Sequence, residues 1–336
     1  MAKLAGRVVP TPEITPTRTA VERIAAFTLA ARPEDLTPGI RRLYKRNILD
    51  SLGCAIAALP AAPFSALREQ VAEYRAPGNC TLIAGGKTAP DQAAFFNTAL
   101  IRYVDMLDSY MASGGLCHPS DNAGTVLTAA EYAQASGEQF KLALAISYEI
   151  QCRFTAAVSL MPKDFNHATQ LAMSAAAACG KLFGLSAEQL AQAIAIATAD
   201  NVSLACQVGP PQLDTARVQA PDAQVMVARI EIFPDPKLTA RFPKELAARV
   251  TVRTKDGRVL VKEHLGYQGG IDNPLTWEQV VEKFHWLSEA CADEQLRGRL
   301  IDAVDQLDTQ PVSHLMGLLA QVRPMPDYAR THRGIQ

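Results

Sequence analysis

From Thr19 to about Leu204 apolar residues recur at helical spacing, and this constrains the fold more than any other feature of the chain. In IRRLYKRNILDSLGCAIAAL, Ile40, Leu43, Tyr44, Ile48, Leu52, Ala55, Ile56 and Leu59 fall on one broad face. That i, i+3, i+4 repeat predicts an amphipathic helix, stopped by Pro60. LAMSAAAACGKLFGL (171–185) is rich in alanine, and such small side chains let helices approach closely. Ser186 with Gln189 three residues on forms a capping box that opens AEQLAQAIAIATA. The block reads as a tightly packed, many-helix core.

The pattern changes after Cys206. QVGPPQLDTARVQAP holds three prolines and no helical period, which makes it a linker. ARIEIF (228–233) and then RVTVRT-KDG-RVLVKE (249–263) alternate apolar and polar residues around Asp256-Gly257. Alternation predicts strands, and the Asp-Gly pair predicts a hairpin turn between the last two. Thr276 and Gln279 make a second capping box, and EQVVEKFHWLSEAC continues as helix. The expected organisation is a flexible arm over 1–16, a helical domain over 17–206, an α+β insert over 207–272, and closing helices with a tail over 273–336.

Composition removes several function classes. Among 336 residues, 33 basic and 34 acidic groups nearly cancel, whereas a nucleic-acid binder needs a basic excess. The seven cysteines are scattered without a CxxC pair, so reduced thiols in a cytoplasmic protein are expected rather than a disulfide scaffold. MAKLAGRVVPTPEITPT lacks the apolar stretch of a signal peptide. RNILDSLGCAIAAL is interrupted by Arg46 and Asp50, so no membrane span is expected.

IAGGKTAP (83–90) contains GKT, but a phosphate loop needs a glycine five positions before Gly86, where Thr81 stands. A turn is expected there instead. VDMLDSY places Asp105 and Asp108 three apart, so both carboxylates are expected on one helix face, with Ser109 beside them. In HPSDNAGTVLT, His118 precedes Pro119, with Ser120 and Asp121 as N-cap candidates for an apolar helix. DFNHATQLAM sets His167 at the head of another helix. Two of six histidines thus stand at helix starts in one block, and imidazole is suited to proton transfer near neutral pH. An ordinary capping loop is the alternative for each. His264, His285 and His332 are assigned no chemistry, and His314 only helix packing. HxxxH and HExxH spacings are absent, so no metal or other cofactor is expected.

Several segments, in order, resemble the MmgE/PrpD family. They are RNILDSLGCAIAAL (46–59), AAFFNTALIRYVDMLDSY (93–110), HPSDN (118–122), SYEIQCRF (147–154), FNHATQLAMSAAAACGKLFGLS (165–186), RFPKELAARVTVRTKDGR (241–258) and NPLTWEQVVEKF (273–284). The resemblance implies a mainly α fold: a large all-helical domain built from both chain ends, with a small α+β lid. It implies a homodimeric, metal-free enzyme acting on small di- and tricarboxylates. Asp105 and Asp108 match the family's aspartates, Ser109 stands where threonine is usual, and His118 and His167 match its two active-site histidines. The family's continuation after Cys206 is absent here, and with it the lysine positions, a tyrosine and part of the lid.

On this resemblance His118 and His167 divide the proton transfers of a 2-methylcitrate dehydratase-type hydro-lyase, and Asp105 orients one imidazole. Ser109, Asp108 and Lys163 are expected to meet the substrate, with Arg102 and Lys163 as the nearest cations in place of the absent lysines. Decarboxylation or epimerisation of a similar polycarboxylate is the alternative within the family. A helical dimeric binding protein that has lost catalysis is the alternative outside enzymology.

Overall fold

A computed structural model describes residues 18–324 except 75, 113–114, 161–162, 204–218, 243, 267 and 271. The arm over 1–16, most of the predicted linker and the end of the tail therefore lie outside the described residues. The fold is mainly helical. In chain order the first half comprises α1 (Ala20–Ala30), α2 (Pro38–Ala58), α3 (Ala62–Tyr74), β1 (Cys80–Thr81), β2 (Lys87–Thr88), α4 (Pro90–Tyr103), β3 (Tyr110–Ala112) and β4 (Gly115–Cys117). Then follow α5 (Ala123–Tyr132), α6 (Gly137–Ala157), α7 (Leu171–Leu182) and α8 (Ala187–Asp200). The remainder comprises α9 (Pro221–Val227), α10 (Pro236–Thr239), β5 (Ala248–Arg253), β6 (Val259–His264), α11 (Trp277–Ser288), α12 (Glu294–Asp305) and α13 (Val312–Leu319).

The helix starts follow local chemistry. Ser186 and Gln189 close a reciprocal capping box on α8, and Thr276 and Gln279 do the same on α11. Helix α2 is capped by the Thr37 hydroxyl and buries Ile48, Leu49, Leu52, Cys54, Ala55 and Ile56 in the core. It packs on α4, α6 and the late helices α11 and α12, so the two ends of the chain share one core. Gly53 makes the α2–α11 approach possible, since an added Cβ would lie 3.2 Å from Leu287 and 3.3 Å from Phe284. Polar contacts reinforce this seam. Lys283 pairs with Asp50 at 2.7 Å, and Arg46 donates to the Leu275 carbonyl.

IAGGKTAP forms a turn between β1 and β2, with positive φ at Ala84, Gly85 and Gly86. The amides of Ile83, Ala84 and Gly85 donate to Asn97 Oδ1 and to the Leu319 and Leu82 carbonyls, and Arg68 donates to the carbonyls of Ile83 and Gly85. The turn is thus held from within rather than offering these amides to a phosphate. The Asp-Gly hairpin is present: β5 pairs antiparallel with β6, Val250 opposite Lys262 and Val252 opposite Leu260, and Gly257 takes φ +84°. Residues 228–233, expected as a strand, are not one. Ile230, Ile232 and Phe233 are exposed, and Pro234 and Pro236 follow at once, removing donors a ladder needs. From Gln219 to Gln279 no described residue is buried. Among the described residues no single helix is long and apolar enough to cross a membrane.

Candidate active site

The stretch VDMLDSY does not continue helix α4. The helix ends at Tyr103, and Asp105 takes the left-handed conformation (φ +53°) with its amide bonded to the Arg102 carbonyl at 3.3 Å. Aspartate tolerates that region better than most residues, and a left-handed residue is a common way to end a helix. The two aspartates consequently do not share a helix face. Asp105 turns back to the Arg102 guanidinium, whereas Asp108 turns inward.

Asp108 spends its carboxylate within the protein. Oδ1 accepts the Ser120 amide at 3.0 Å, and Oδ2 accepts the Tyr148 hydroxyl at 2.8 Å and the Asn47 amide at 3.4 Å. Burial and the adjacent Asp108 push the Tyr148 phenol well above its ordinary range, so it keeps the proton it donates. Asp108 thereby ties the loop before β3 to α2, to α6 and to the turn after His118. Ser120 and Asp121 were expected as helix caps, but neither side chain caps. Pro119–Asn122 forms a single 3-10 turn leading into α5.

His118 Nδ1 lies 2.9 Å from the Asp108 carbonyl oxygen and 3.1 Å from Ser109 Oγ. A carbonyl only accepts, so Nδ1 carries the proton and Nε2 of the neutral ring keeps its lone pair. The orienting contact expected from Asp105 is made by the Asp108 main chain and the Ser109 hydroxyl. His167 follows its cap, Asn166, whose side chain accepts the Ala168 amide at 2.8 Å. The two imidazoles meet edge to face, with ring centroids 5.0 Å apart.

Around this pair the charges are uneven. Burial first, then His118 and Arg102, lower the His167 pKa to about 4, with Asp105 opposing. Burial raises the Asp121 pKa to about 7 against the pull of Arg102, and Asp108 and Asp105 add to the rise. Arg102 Nε stands 3.5 Å from Asp121 Oδ1, while its Nη1 contacts Asp105. The buried Ser120 Oγ and Gln151 Nε2 have no hydrogen-bond partner among the described residues. Lys163 is exposed and joins none of these contacts. Among the described residues no group of three or more His, Cys, Asp and Glu side chains is arranged to hold a metal ion. Tyr148, Asn47 and Asp121 in these roles were not legible in the sequence. Tyr148, Asp121 and Asn47 fall within the segments SYEIQCRF, HPSDN and RNILDSLGCAIAAL that carry the family resemblance.

The two shifted groups make a pH prediction. Between about pH 4 and 6.5 the unfolded chain carries a proton on His167, ordinary value 6.5, and none on Asp121, ordinary value 3.8. The folded chain carries it on Asp121 and none on His167. Folding moves the proton without net uptake, so this pair adds no slope to stability in that window. Asp121→Asn leaves His167 alone, and stability is then expected to fall as pH drops from 6.5 toward 4, by about 1 kcal/mol per pH unit. His167→Gln leaves Asp121 alone, and stability is expected to fall as pH rises from 3.8 toward 7. Urea unfolding across this range checks both slopes. Parallel curves for the two variants would refute the assignment.

Residues 22–226 match the MmgE/PrpD N-terminal domain, and residues 201–309 match the MmgE/PrpD C-terminal domain. The chain is similar to 2-methylcitrate dehydratase of Escherichia coli K12, 28% identical over 199 residues, which are 55% of this chain and 41% of that protein. It is similar to 2-methylcitrate dehydratase of Cupriavidus necator, 28% identical over 183 residues, 51% of this chain and 38% of that protein. Cis-aconitate decarboxylase of Mus musculus is 29% identical over 191 residues, 54% of this chain and 38% of that protein. The chain thus spans less than half the length of the curated relatives it matches. With the N-terminal match covering more than half of its residues, the chain belongs to the MmgE/PrpD family.

Proposed function

We propose that this chain is a lyase of a small di- or tricarboxylate, of the 2-methylcitrate dehydratase type. The observation that carries the reading is the His118–His167 pair, centroids 5.0 Å apart, with the Arg102 guanidinium against Asp121 in the turn after His118. Elimination of water needs a base for the proton α to a carboxylate and an acid for the departing hydroxyl. His118 is the base: its Nδ1–H is held by Asp108 and Ser109, so Nε2 takes the carbon-bound proton. The electron pair of that C–H bond becomes the new C=C bond as the C–O bond breaks. His167 supplies the proton with which hydroxyl leaves as water. Its low basicity in the empty site is set by burial and by neighbouring cations and imidazole. A polyanionic substrate counters these and lets it protonate. Asp108 positions His118, and Asp105 acts on His167 through its charge.

A second reading rests on the similarity to a cis-aconitate decarboxylase. Loss of carbon dioxide leaves a carbanion that the same two imidazoles can protonate. Incubation of the purified chain with 2-methylcitrate, citrate and cis-aconitate separates these. Gain of C=C absorbance is expected for dehydration, release of carbon dioxide for decarboxylation, and incorporation of solvent deuterium without either for epimerisation. A folded protein that does none of these would end the lyase proposal.

A further inference from the structure

Among the described residues Arg102 contacts both acidic arms of the site. It sits in the last turn of α4, with Nη1 on Asp105 and Nε 3.5 Å from Asp121, and lies close enough to His167 to lower its basicity. The two carboxyl groups hold it very differently. Asp121 is buried at 5% exposure and comes from the turn directly after His118. The Asp105 side chain is half exposed, on a residue in left-handed backbone. A half-solvated ion pair is weakly held. A planar guanidinium facing a carboxylate in a less hydrated cleft gains two parallel charge-assisted hydrogen bonds.

We infer that Arg102 is the carboxylate anchor of this site, resting on Asp105 when the site is empty and transferred to a substrate carboxylate when it fills. Asp121 is the fixed wall that keeps the guanidinium beside the imidazole pair during the exchange. Asp105 is then a competitor of the ligand as well as a neighbour of His167. The inference rests on the polycarboxylate reading above and names the group that recognises that substrate class.

The competition gives opposite signs to the two halves of one ion pair. The probe is tricarballylate, a tricarboxylate without a hydroxyl to eliminate, titrated calorimetrically into the whole chain. Arg102→Gln is expected to weaken binding roughly tenfold or more, and Arg102→Lys less, because lysine keeps the charge without the fork. Asp105→Asn keeps a residue that tolerates left-handed backbone and removes the competitor. It is expected to tighten binding by about two- to threefold, the scale of a weak exposed pair. A purely structural ion pair would move both variants in the same direction. Arg102→Gln within twofold of the parent, or Asp105→Asn weakening binding, overturns the anchor. If Arg102→Gln fails to fold, Arg102→Lys and Asp105→Asn decide it by the same signs. Failure of the parent to bind tricarballylate overturns the anchor together with the polycarboxylate reading. Binding without turnover of any polycarboxylate leaves the anchor standing and removes only the lyase assignment.

Discussion

Alanine at His118 or His167 is expected to lower turnover of the polycarboxylate substrate by about 10²- to 10⁴-fold, the usual worth of a positioned acid or base. The loss is expected in kcat rather than in KM, because a proton transferred in the transition state contributes little to ground-state binding. The two rings touch edge to face and serve one elimination, so the double variant is expected to lose little more than either single one. The lesions differ in their side effects. Removing His118 also frees the Asp108 carbonyl and the Ser109 hydroxyl, whereas His167→Ala removes a ring that burial keeps neutral. Tricarballylate binding in both variants separates a lost proton transfer from a collapsed site. Parent-like kcat in both would refute the two-imidazole mechanism.

Asp308→Ala is expected to destabilise the fold by about 3–5 kcal/mol, the cost of leaving a buried charge without its partner. Lys141, on α6, is fully buried and contacts Asp308. Asp308 also receives Lys45 at 2.6 Å and Arg41 at 3.3 Å, and lies between α12 and α13. Three cations from two early helices thus converge on one late carboxylate. The same junction is tight in its backbone. The Gly137 amide donates to the Gln310 carbonyl at 2.8 Å, and a Cβ on Gly137 would stand 1.9 Å from the Leu307 oxygen.

Burial, Lys45 and Arg41 already lower the Lys141 pKa to about 8, with Glu138 opposing. Taking the contacting carboxylate away from this ammonium is expected to let the folded chain release the proton at lower pH, while the unfolded chain keeps it to an ordinary 10.5. The variant's folded state then binds fewer protons than the parent's only below about pH 8, so the deficit is expected to shrink as pH rises toward 8 and to level off above it. Lys141→Met in the Asp308→Ala background is expected to recover much of the loss. Urea unfolding from mildly acidic pH to about pH 9 measures both effects. A deficit that is independent of pH and of Lys141→Met would place the damage elsewhere.

What the sequence made legible was local. The capping boxes at Ser186 and Thr276, the Asp256-Gly257 hairpin and the stop near Pro60 depend on neighbours within a few residues, and each is present. The mainly α fold and the family followed from periodicity and quoted motifs. The misplaced details depend on distant partners. Continuing α4 through Asp108 satisfied periodicity, but Asp108 has better partners in Tyr148, Asn47 and the Ser120 amide. Residues 228–233 alternate as a strand should, yet alternation supplies no neighbouring edge to pair with. His118 and His167 could be named from the chain, whereas the choice of Nδ1 as the protonated nitrogen required the Asp108 carbonyl.

The seam along α2 has a consequence for biosynthesis. Gly53 and Asp50 wait for Phe284, Leu287 and Lys283, which leave the ribosome long after them. Until then a long flank of the nascent helical layer stays wet, and vectorial folding cannot seal it. Transiently exposed apolar surface of this kind is what makes unfinished chains prone to aggregate.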